Sequence, residues 1–315
     1  MNEKIHAIKT EIAKVMVGQE ALIDALLIGL ITDGHILVEG VPGLAKTTAI
    51  NSLAKALGLG FKRVQFTPDL LPSDIVGTEM YDQRNGAFKV KMGPAFTHLL
   101  LADEINRAPA KVQSALLEVM QEHQITIGDE TFKLSDPFLV LATQNPVEQE
   151  GTYRLPEAQL DRFMLKVLVD YNSFEEEMEI VDRIANRSVG TIMQVAGADD
   201  ILAMRDEVQG VHIDEAVTRY MMKIIFATRE PEKYGVGEIA QYLEYGASPR
   251  ASINLYKAAK ARAYLRGNDF VTPLDVADTV RGVLRHRMVL NYRAEAAGVT
   301  ADDLIGTIMQ TIKLP

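Results

Sequence analysis

Apolar residues recur in this chain with two different periods, and the change of period divides the sequence into two parts. Up to about residue 170, short apolar runs typical of buried strands alternate with segments of helical spacing. Strands are predicted over residues 36–38, 61–66, 98–102, 138–143 and 164–169, and helices over 3–16, 21–31, 49–57 and 109–123. This alternation is typical of an α/β fold, in which helices cover both faces of a parallel sheet.

From residue 171 onward the apolar spacing is helical. Helices are predicted over residues 174–184, 214–230, 249–266, 273–288 and 300–312, whereas residues 189–213 are predicted to be irregular with one short helix. The pattern therefore predicts a core over residues 1–172, a connecting segment over 173–213 and a small all-α domain over 214–315.

Two additional pairs of short segments predict β-hairpins that a minimal nucleotide-binding sheet does not need. One pair, 79–83 and 87–91, flanks Asn85-Gly86, and the other, 124–127 and 131–134, flanks Gly128-Asp129. We interpret the first as an insertion that projects from the core. A role in contacting another molecule and plain decoration remain open for it.

A glycine-containing loop lies between the first predicted core strand and the helix that follows it. Its residues are Gly40, Val41, Pro42, Gly43, Leu44, Ala45, Lys46, Thr47 and Thr48. Such a loop binds phosphates because its backbone N–H groups point inward and the helix N-terminus adds positive potential. We expect Lys46 to meet the β- and γ-phosphates and the Thr47 hydroxyl to hold Mg²⁺.

Ala45 departs from the common G-x-x-x-x-G-K-T spacing, in which a glycine stands at this position. A methyl group there is tolerable only where the backbone keeps an ordinary negative φ. We therefore expect Ala45 to have a negative φ.

Polar side chains follow two further predicted strands. Asp103 and Glu104 end one strand, and Asn145 follows another. At the carboxyl edge of a parallel sheet these residues would lie beside the phosphate loop. Asp103 is then a candidate Mg²⁺ ligand, Glu104 a candidate base for the attacking water, and Asn145 a candidate for positioning that water.

Two other segments are candidates of a different kind. Val17-Gly18 precedes the phosphate loop by about 20 residues and could pack against an adenine ring through backbone atoms. Arg162 lies between Asp161 and Phe163. It could form a salt bridge within its own fold, or it could be an arginine finger directed into a neighbouring subunit, and the residue types alone do not decide between these two roles.

Composition excludes several classes of protein. The chain has 315 residues, 47% of them hydrophobic, with a formal net charge of -10 and a pI near 5.2, which disfavours broad contact with nucleic acid phosphates. It has no cysteine, its start lacks a signal-peptide core, and it has no 18-residue uncharged apolar run, so we expect a cytoplasmic protein without a membrane span.

A locally basic set of residues departs from this acidic total. Its members are Lys257, Lys260, Arg262, Arg266, Arg281, Arg285 and Arg287. Exposed helix faces are the simpler interpretation of these residues, and contact with an acidic partner or a neighbouring subunit is the alternative.

Several of these segments together resemble the MoxR family of AAA+ ATPases. They are Gly40–Thr47, Asp103–Ala108, Ala142–Pro146 and Leu155–Phe163, and Gly246–Arg250 is similar to that family's second sensor. The resemblance extends from about residue 10 to about residue 293, and Ala45 is the residue usual for that family's loop.

The resemblance implies an AAA+ P-loop core with a small all-α lid, in which the two hairpins are the helix-2 insert and the pre-sensor-1 insert. It implies that Asn145 is the first sensor, that Arg162 acts in trans, and that Arg250 reaches the γ-phosphate from the lid. ATP and Mg²⁺ are the implied cofactors, and a homo-oligomeric ring, hexameric in form, is the implied assembly.

The implied work is chaperone-like activation, assembly or maturation of client proteins, often proteins with von Willebrand factor A domains. The alternative function is a nucleic-acid motor, which would hydrolyse ATP in the same way but act on a nucleic acid instead of a protein. The net negative charge of the chain counts against this alternative. A nucleotide-sensing scaffold with negligible turnover is disfavoured because Lys46, Glu104, Asn145 and Arg162 are all present.

Overall fold

The computed structural model describes residues 3–41, 43–84, 86–146, 151–186 and 190–315. Contacts concentrate in two compact units. The first comprises Glu3–Leu155 and Val167–Leu202, and the second comprises Pro156–Lys166 and Ala203–Pro315. We call them the core unit and the helical unit.

The strands and helices follow the order that the apolar pattern predicts. The strands are β1 (Ile36–Glu39), β2 (Phe61–Gln65), β3 (Gly77–Asp82), β4 (Ala87–Met92), β5 (Leu99–Asp103), β6 (Gln124–Ile127), β7 (Glu130–Lys133), β8 (Leu139–Gln144), β9 (Leu165–Leu168), β10 (Leu243–Tyr245) and β11 (Val289–Leu290). The helices are α1 (Glu3–Ala13), α2 (Glu20–Thr32), α3 (Lys46–Leu57), α4 (Pro72–Val76), α5 (Ala110–Glu122), α6 (Glu157–Leu160), α7 (Phe174–Ala185), α8 (Ala198–Gly210), α9 (Glu215–Ala227), α10 (Pro249–Arg266), α11 (Pro273–Leu284), α12 (Tyr292–Ala297) and α13 (Ala301–Thr311).

A five-stranded sheet in the order β2-β5-β8-β1-β9 forms the centre of the described fold. The pairs β2–β5, β5–β8 and β8–β1 are parallel. Strands β5 and β8 are apolar runs whose residues are buried almost throughout, as expected for strands covered on both faces. The register pairs Gln65 with Asp103 and Glu39 with Gln144, so the polar ends of four strands meet at one edge.

Both predicted hairpins are confirmed. Strands β3 and β4 pair antiparallel from Gly77 opposite Met92 to Asp82 opposite Ala87, and β6 pairs with β7. The predicted turn residue Asn85 lies outside the described residues. Tyr81 and Phe88 form an edge-to-face aromatic pair, and each is more than half exposed.

The helical unit contains the predicted lid helices. The segment predicted to be irregular with one short helix contains α8, which has 13 residues and is longer than predicted. The short elements α6, β10, β11 and α12 were not predicted, because they contain too few residues for a periodic apolar pattern. Helix α12 begins at the N-cap Asn291, whose side chain accepts hydrogen bonds from two backbone N–H groups. Within the described ranges, no helix is both long and apolar enough to cross a membrane.

Candidate active site

The phosphate loop places its lysine at the start of a helix. Lys46 is the first residue of α3, and its Nζ donates a hydrogen bond of 2.5 Å to the Gly40 carbonyl. Burial lowers the pKa of the Lys46 ammonium, while the carboxylates of Asp103 and Glu104 oppose that shift. The first turn of α3 contains no acidic residue, so the positive end of the helix dipole is not neutralised there.

The expectation of a negative φ at Ala45 is wrong. Ala45 has φ 54° and ψ 17°, in the left-handed region, and Gly43 has φ 91°. The loop must turn sharply between β1 and α3, and the left-handed geometry supplies that turn at a cost of about 1–2 kcal/mol for a residue with a Cβ. Ala45 is only half-buried, so its methyl group has room beside the loop. Pro42 lies outside the described residues.

The Asp103 carboxylate is held from two neighbouring strands. Thr143 Oγ1 donates to Asp103 Oδ1 at 2.6 Å, and Arg63 Nη2 donates to Oδ2 at 2.6 Å. The same Thr143 hydroxyl accepts a hydrogen bond of 2.9 Å from the Glu104 backbone N–H. Thr143 therefore fixes the two acidic residues relative to each other.

Glu104 has an unusual backbone and two side-chain partners. Its φ is 56°, which turns the chain sharply where β5 ends and directs consecutive side chains apart. Its Oε2 accepts hydrogen bonds from Gln65 Nε2 at 2.9 Å and from Arg107 Nη1 at 3.1 Å. Strain of this kind in a non-glycine residue is typical of functional sites.

Most of the predicted residues of the core unit meet around one cleft of about 330 Å³, whose lining does not include Val41. Its lining consists of Gly40, Gly43, Leu44, Ala45, Lys46, Thr47, Thr48, Arg63, Gln65, Asp103, Glu104, Thr143 and Asn145. Asn145 is 7% exposed. These residues fit a nucleoside triphosphate with Mg²⁺, because a lysine and a helix N-terminus suit phosphates while a hydroxyl and a carboxylate suit Mg²⁺.

Sequence reasoning missed three residues of this cleft, namely Arg63, Gln65 and Thr143. Arg63 and Gln65 lie on one face of β2, separated by two positions, so period-2 alternation pointed to a polar face of that strand. Thr143 is the last buried residue before the polar end of β8. The order of the strands in the sheet was not known from the sequence, so the contacts of these three residues with the acidic residues at the end of β5 could not be predicted.

The Val17-Gly18 segment is not part of that cleft's lining. Val17 O accepts a hydrogen bond of 3.1 Å from Asn172 Nδ2, and Gly18 has φ 69°. A Cβ at Gly18 would lie 2.6 Å from Glu176 Oε1. The structure therefore shows a turn packed against the segment that leads into α7, and a role in adenine binding remains a prediction.

In the helical unit, the backbone on both sides of Arg162 accepts hydrogen bonds from residues that follow α11. Arg287 donates to the carbonyl oxygens of Asp161 at 3.0 Å and Met164 at 3.1 Å, and also to that of Phe163. Arg287 itself is 5% exposed, and Phe163 is fully buried. The half-buried Arg162 therefore belongs to a segment whose backbone is held in place.

Arg250 is the second residue of α10, whose N-cap is Ser248. Its Nη1 lies 3.6 Å from Asp161 Oδ2, and about half of its side-chain surface is exposed. Arg250 therefore forms an ion pair with the residue that directly precedes Arg162, although Arg162 and Arg250 lie far apart in the sequence.

The interpretation of the basic set as exposed helix faces is wrong for most of its members. Arg287 pairs with Asp161, Arg285 with Asp302, Arg262 with Asp278 and Arg266 with Asp275. Lys260 Nζ donates to the Gln209 carbonyl at 2.7 Å. Acidic residues that are distant in sequence neutralise these cations within the helical unit, which the local run of charges did not reveal.

His286 makes the stability of the helical unit dependent on pH. It is buried, and its Nε2 donates to the Phe163 carbonyl at 3.0 Å. Burial and the adjacent Arg287 guanidinium hold the pKa of His286 well below its ordinary value of 6.5. As the pH falls below 6.5 the unfolded chain takes up the proton first, so stability that is fully present above pH 6.5 is progressively lost.

We expect His286→Gln to remove this dependence, because an amide donates to Phe163 without titrating. Between pH 7.5 and 5.5, wild type should lose about 1.4 kcal/mol more of its free energy of unfolding than the variant. Urea unfolding followed by circular dichroism measures this difference. His6→Gln, at an exposed position, is the matched control. Equal losses in wild type and His286→Gln would contradict the assignment.

Comparison with known proteins agrees with this arrangement. The model for the ATPase family associated with various cellular activities (AAA) matches residues 35–165, and the AAA lid domain model matches residues 238–308. The chaperone MoxR1 of Mycobacterium tuberculosis is 47% identical over 305 residues, which are 97% of this chain and 81% of that protein.

Two further similarities cover nearly the whole chain. The uncharacterized protein YeaC of Bacillus subtilis is 42% identical over 305 residues, 96% of this chain and 92% of that protein. A crystal structure of a protein from Cytophaga hutchinsonii superposes with a TM-score of 0.93 at 51% identity, covering 99% of this chain and 95% of the other. With this degree of identity over most of the length of its relatives, the chain belongs to the MoxR family of AAA+ ATPases.

Proposed function

We propose that this protein binds ATP with Mg²⁺ in the cleft of the core unit and hydrolyses it. The observation that carries the proposal is that Lys46, Asp103, Glu104 and Asn145 line the same cleft. These are a phosphate-binding cation, a metal-binding carboxylate, a base and a polar amide, which together meet the needs of phosphoryl transfer to water.

Each residue then has a role that its surroundings support. Lys46 and the N-terminal N–H groups of α3 would neutralise the phosphates, and Thr47 and Asp103 would hold Mg²⁺, which would supply further charge neutralisation. Glu104 accepts the proton of the attacking water, and Asn145 orients that water. Thr143 links the Asp103 carboxylate to the Glu104 backbone through its hydrogen bonds to Asp103 Oδ1 and the Glu104 N–H. Gln65 and Arg107 hold the Glu104 carboxylate in position through hydrogen bonds to its Oε2.

We further propose that the site is shared between subunits of a closed, hexameric ring. Arg162 would complete the site of a neighbouring subunit, where an arginine neutralises charge that develops in the transition state. The clamp that Arg287 imposes on its backbone supports this role, because a group acting in trans must be held in place before the reaction. Arg250 would contact the γ-phosphate from the lid.

The output of hydrolysis would be mechanical work on a client protein. A relative that is named a chaperone supports this choice. Proteins with von Willebrand factor A domains are the client class that we propose, because the family resemblance implies them.

The shared site is tested by mixing two inactive variants. Arg162→Ala alone should lower turnover by about 10³-fold or more, the effect known for arginine fingers. In rings mixed with Glu104→Gln subunits, Arg162→Ala sites regain an arginine from their neighbours, so phosphate release should exceed the sum of the two separate activities.

Arg219→Ala is the matched control for this experiment. Arg219 is largely exposed on α9 and pairs with Glu215 one turn away, so its removal should leave turnover near that of wild type. Mixed rings of Arg162→Ala and Glu104→Gln that release only the summed amount would remove the role of Arg162 in trans.

A further inference from the structure

Three side chains from different parts of the helical unit approach the Asp161 carboxylate, two of them as hydrogen-bond donors. Arg287 Nε donates to Oδ1 at 2.8 Å, and Ser248 Oγ lies 2.9 Å from both carboxylate oxygens. Arg250 Nη1 lies 3.6 Å from Oδ2, which is an ion pair beyond hydrogen-bond length. Asp161 is thus bound tightly by two partners and loosely by the third.

Of the two tight partners, Arg287 is the one that cannot be separated from Asp161 without a large cost. The Arg287 side chain is fully buried and also binds backbone carbonyls on both sides of Arg162. Its charge has no access to water, so separation from Asp161 would leave an uncompensated buried cation. Arg250, with 48% of its side chain exposed, can exchange Asp161 for another anion without such a penalty.

The position of Arg250 in its helix favours an anionic partner. It is the second residue of α10, beside the positive end of the helix dipole, where a cation is disfavoured. A residue type that breaks this local rule is typical of a site retained for function. Asp161 compensates this repulsion in the structure described here.

We propose that Asp161 is the resting partner of Arg250 and competes with the γ-phosphate for it, so that ATP, and not ADP, draws Arg250 away. Asp161 is in this sense a positioning residue, which acts on the nucleotide only through Arg250. The proposal rests on the proposed function, because it takes the nucleotide to be Arg250's second anion. Since Asp161 adjoins Arg162, loss of this ion pair also changes the charge beside the residue that would serve the neighbouring subunit.

The competition predicts that Asp161→Asn changes the affinity for one nucleotide and leaves the affinity for another unchanged. The amide keeps the shape and a hydrogen-bond acceptor for Arg287, but it removes the charge that holds Arg250 and also compensates the buried Arg287, so folding of the variant is checked first by circular dichroism. Affinity for the non-hydrolysable analogue AMP-PNP with Mg²⁺ should rise about twofold to fivefold, the range that corresponds to partly exposed ion pairs. Affinity for ADP should stay unchanged. Isothermal titration calorimetry measures both without any turnover.

Two controls separate this effect from a general loss of structure. Asp302→Asn breaks the comparable ion pair with Arg285 and should leave the ratio of the two affinities unchanged. In an Arg250→Ala background, Asp161→Asn should no longer change the AMP-PNP affinity. An Asp161→Asn variant in which the affinities for both nucleotides fall equally, or in which neither affinity changes, would overturn the proposal.

A second measurement needs no variant at all. Crystal structures of the wild-type protein with ADP should keep the contact between Arg250 and Asp161, and those with AMP-PNP should show it broken. A contact kept with both nucleotides would overturn the proposal even if Asp161→Asn did not fold. Failure of the proposed function is distinct, because then neither nucleotide would bind in the cleft.

Discussion

Replacement of Glu104 by glutamine should lower ATP turnover by about 10²- to 10⁴-fold, the usual contribution of a positioned base. The amide keeps the size of the side chain and can still accept a hydrogen bond from Gln65 or Arg107, but it cannot take up the proton of the attacking water. Affinity for ATP should therefore stay within about twofold of wild type, since the phosphates are bound by other residues. Single-turnover phosphate release and equilibrium binding of ATP measure the two quantities.

The matched control is Glu118→Gln on the exposed face of α5. It changes the net charge by the same amount at a distance from the cleft lining, so turnover should equal that of wild type. A Glu104→Gln variant with normal turnover would exclude Glu104 as the base. Loss of ATP binding in the same variant would assign the residue to the binding of the nucleotide instead.

Replacement of Lys46 by alanine should abolish useful binding of ATP. If the ammonium makes two charge-assisted hydrogen bonds of about 1.5–3 kcal/mol each, affinity falls by about 10²- to 10⁴-fold. The structure supports this estimate, because Lys46 is directed at the loop carbonyl of Gly40 and lines the cleft with Asp103 and Glu104. Titration calorimetry with AMP-PNP and Mg²⁺ measures the change.

Lys55 provides the control within the same helix. It is exposed near the end of α3, so Lys55→Ala removes the same charge from the same element without touching the loop. Its affinity should stay within about twofold of wild type, because exposed charges at this distance are screened. Tight ATP binding by Lys46→Ala would count against the loop as the phosphate site.

Much of the core could be predicted from the sequence because its signals are local. A buried parallel strand is a continuous apolar run, as in β5 and β8, and the Asn-Gly pair predicts the β3–β4 hairpin. Because the carboxyl ends of parallel strands meet at one edge of a sheet, the sequence predicted that one cleft is lined by Lys46, Asp103, Glu104 and Asn145.

The rest depended on contacts between residues that are distant in sequence. Thr143 reaches Asp103 across 40 positions, and Arg287 reaches Asp161 across 126 positions, so neither pair leaves a local pattern. The prediction of a negative φ at Ala45 was wrong for another reason. A left-handed conformation costs a residue with a Cβ about 1–2 kcal/mol, and a folded domain can offset that cost, so it does not exclude the conformation.

The central claim is that ATP is hydrolysed at a site that one subunit cannot complete alone. The direct test is phosphate release per subunit by the wild-type protein, with ATP and Mg²⁺ saturating, across a dilution series in which light scattering gives the size of the assembly. We predict that turnover per subunit rises with the fraction of assembled protein and approaches the Lys46→Ala background when the protein is monomeric. Turnover per subunit that stays constant down to the monomer, or that never exceeds that background, would contradict the account.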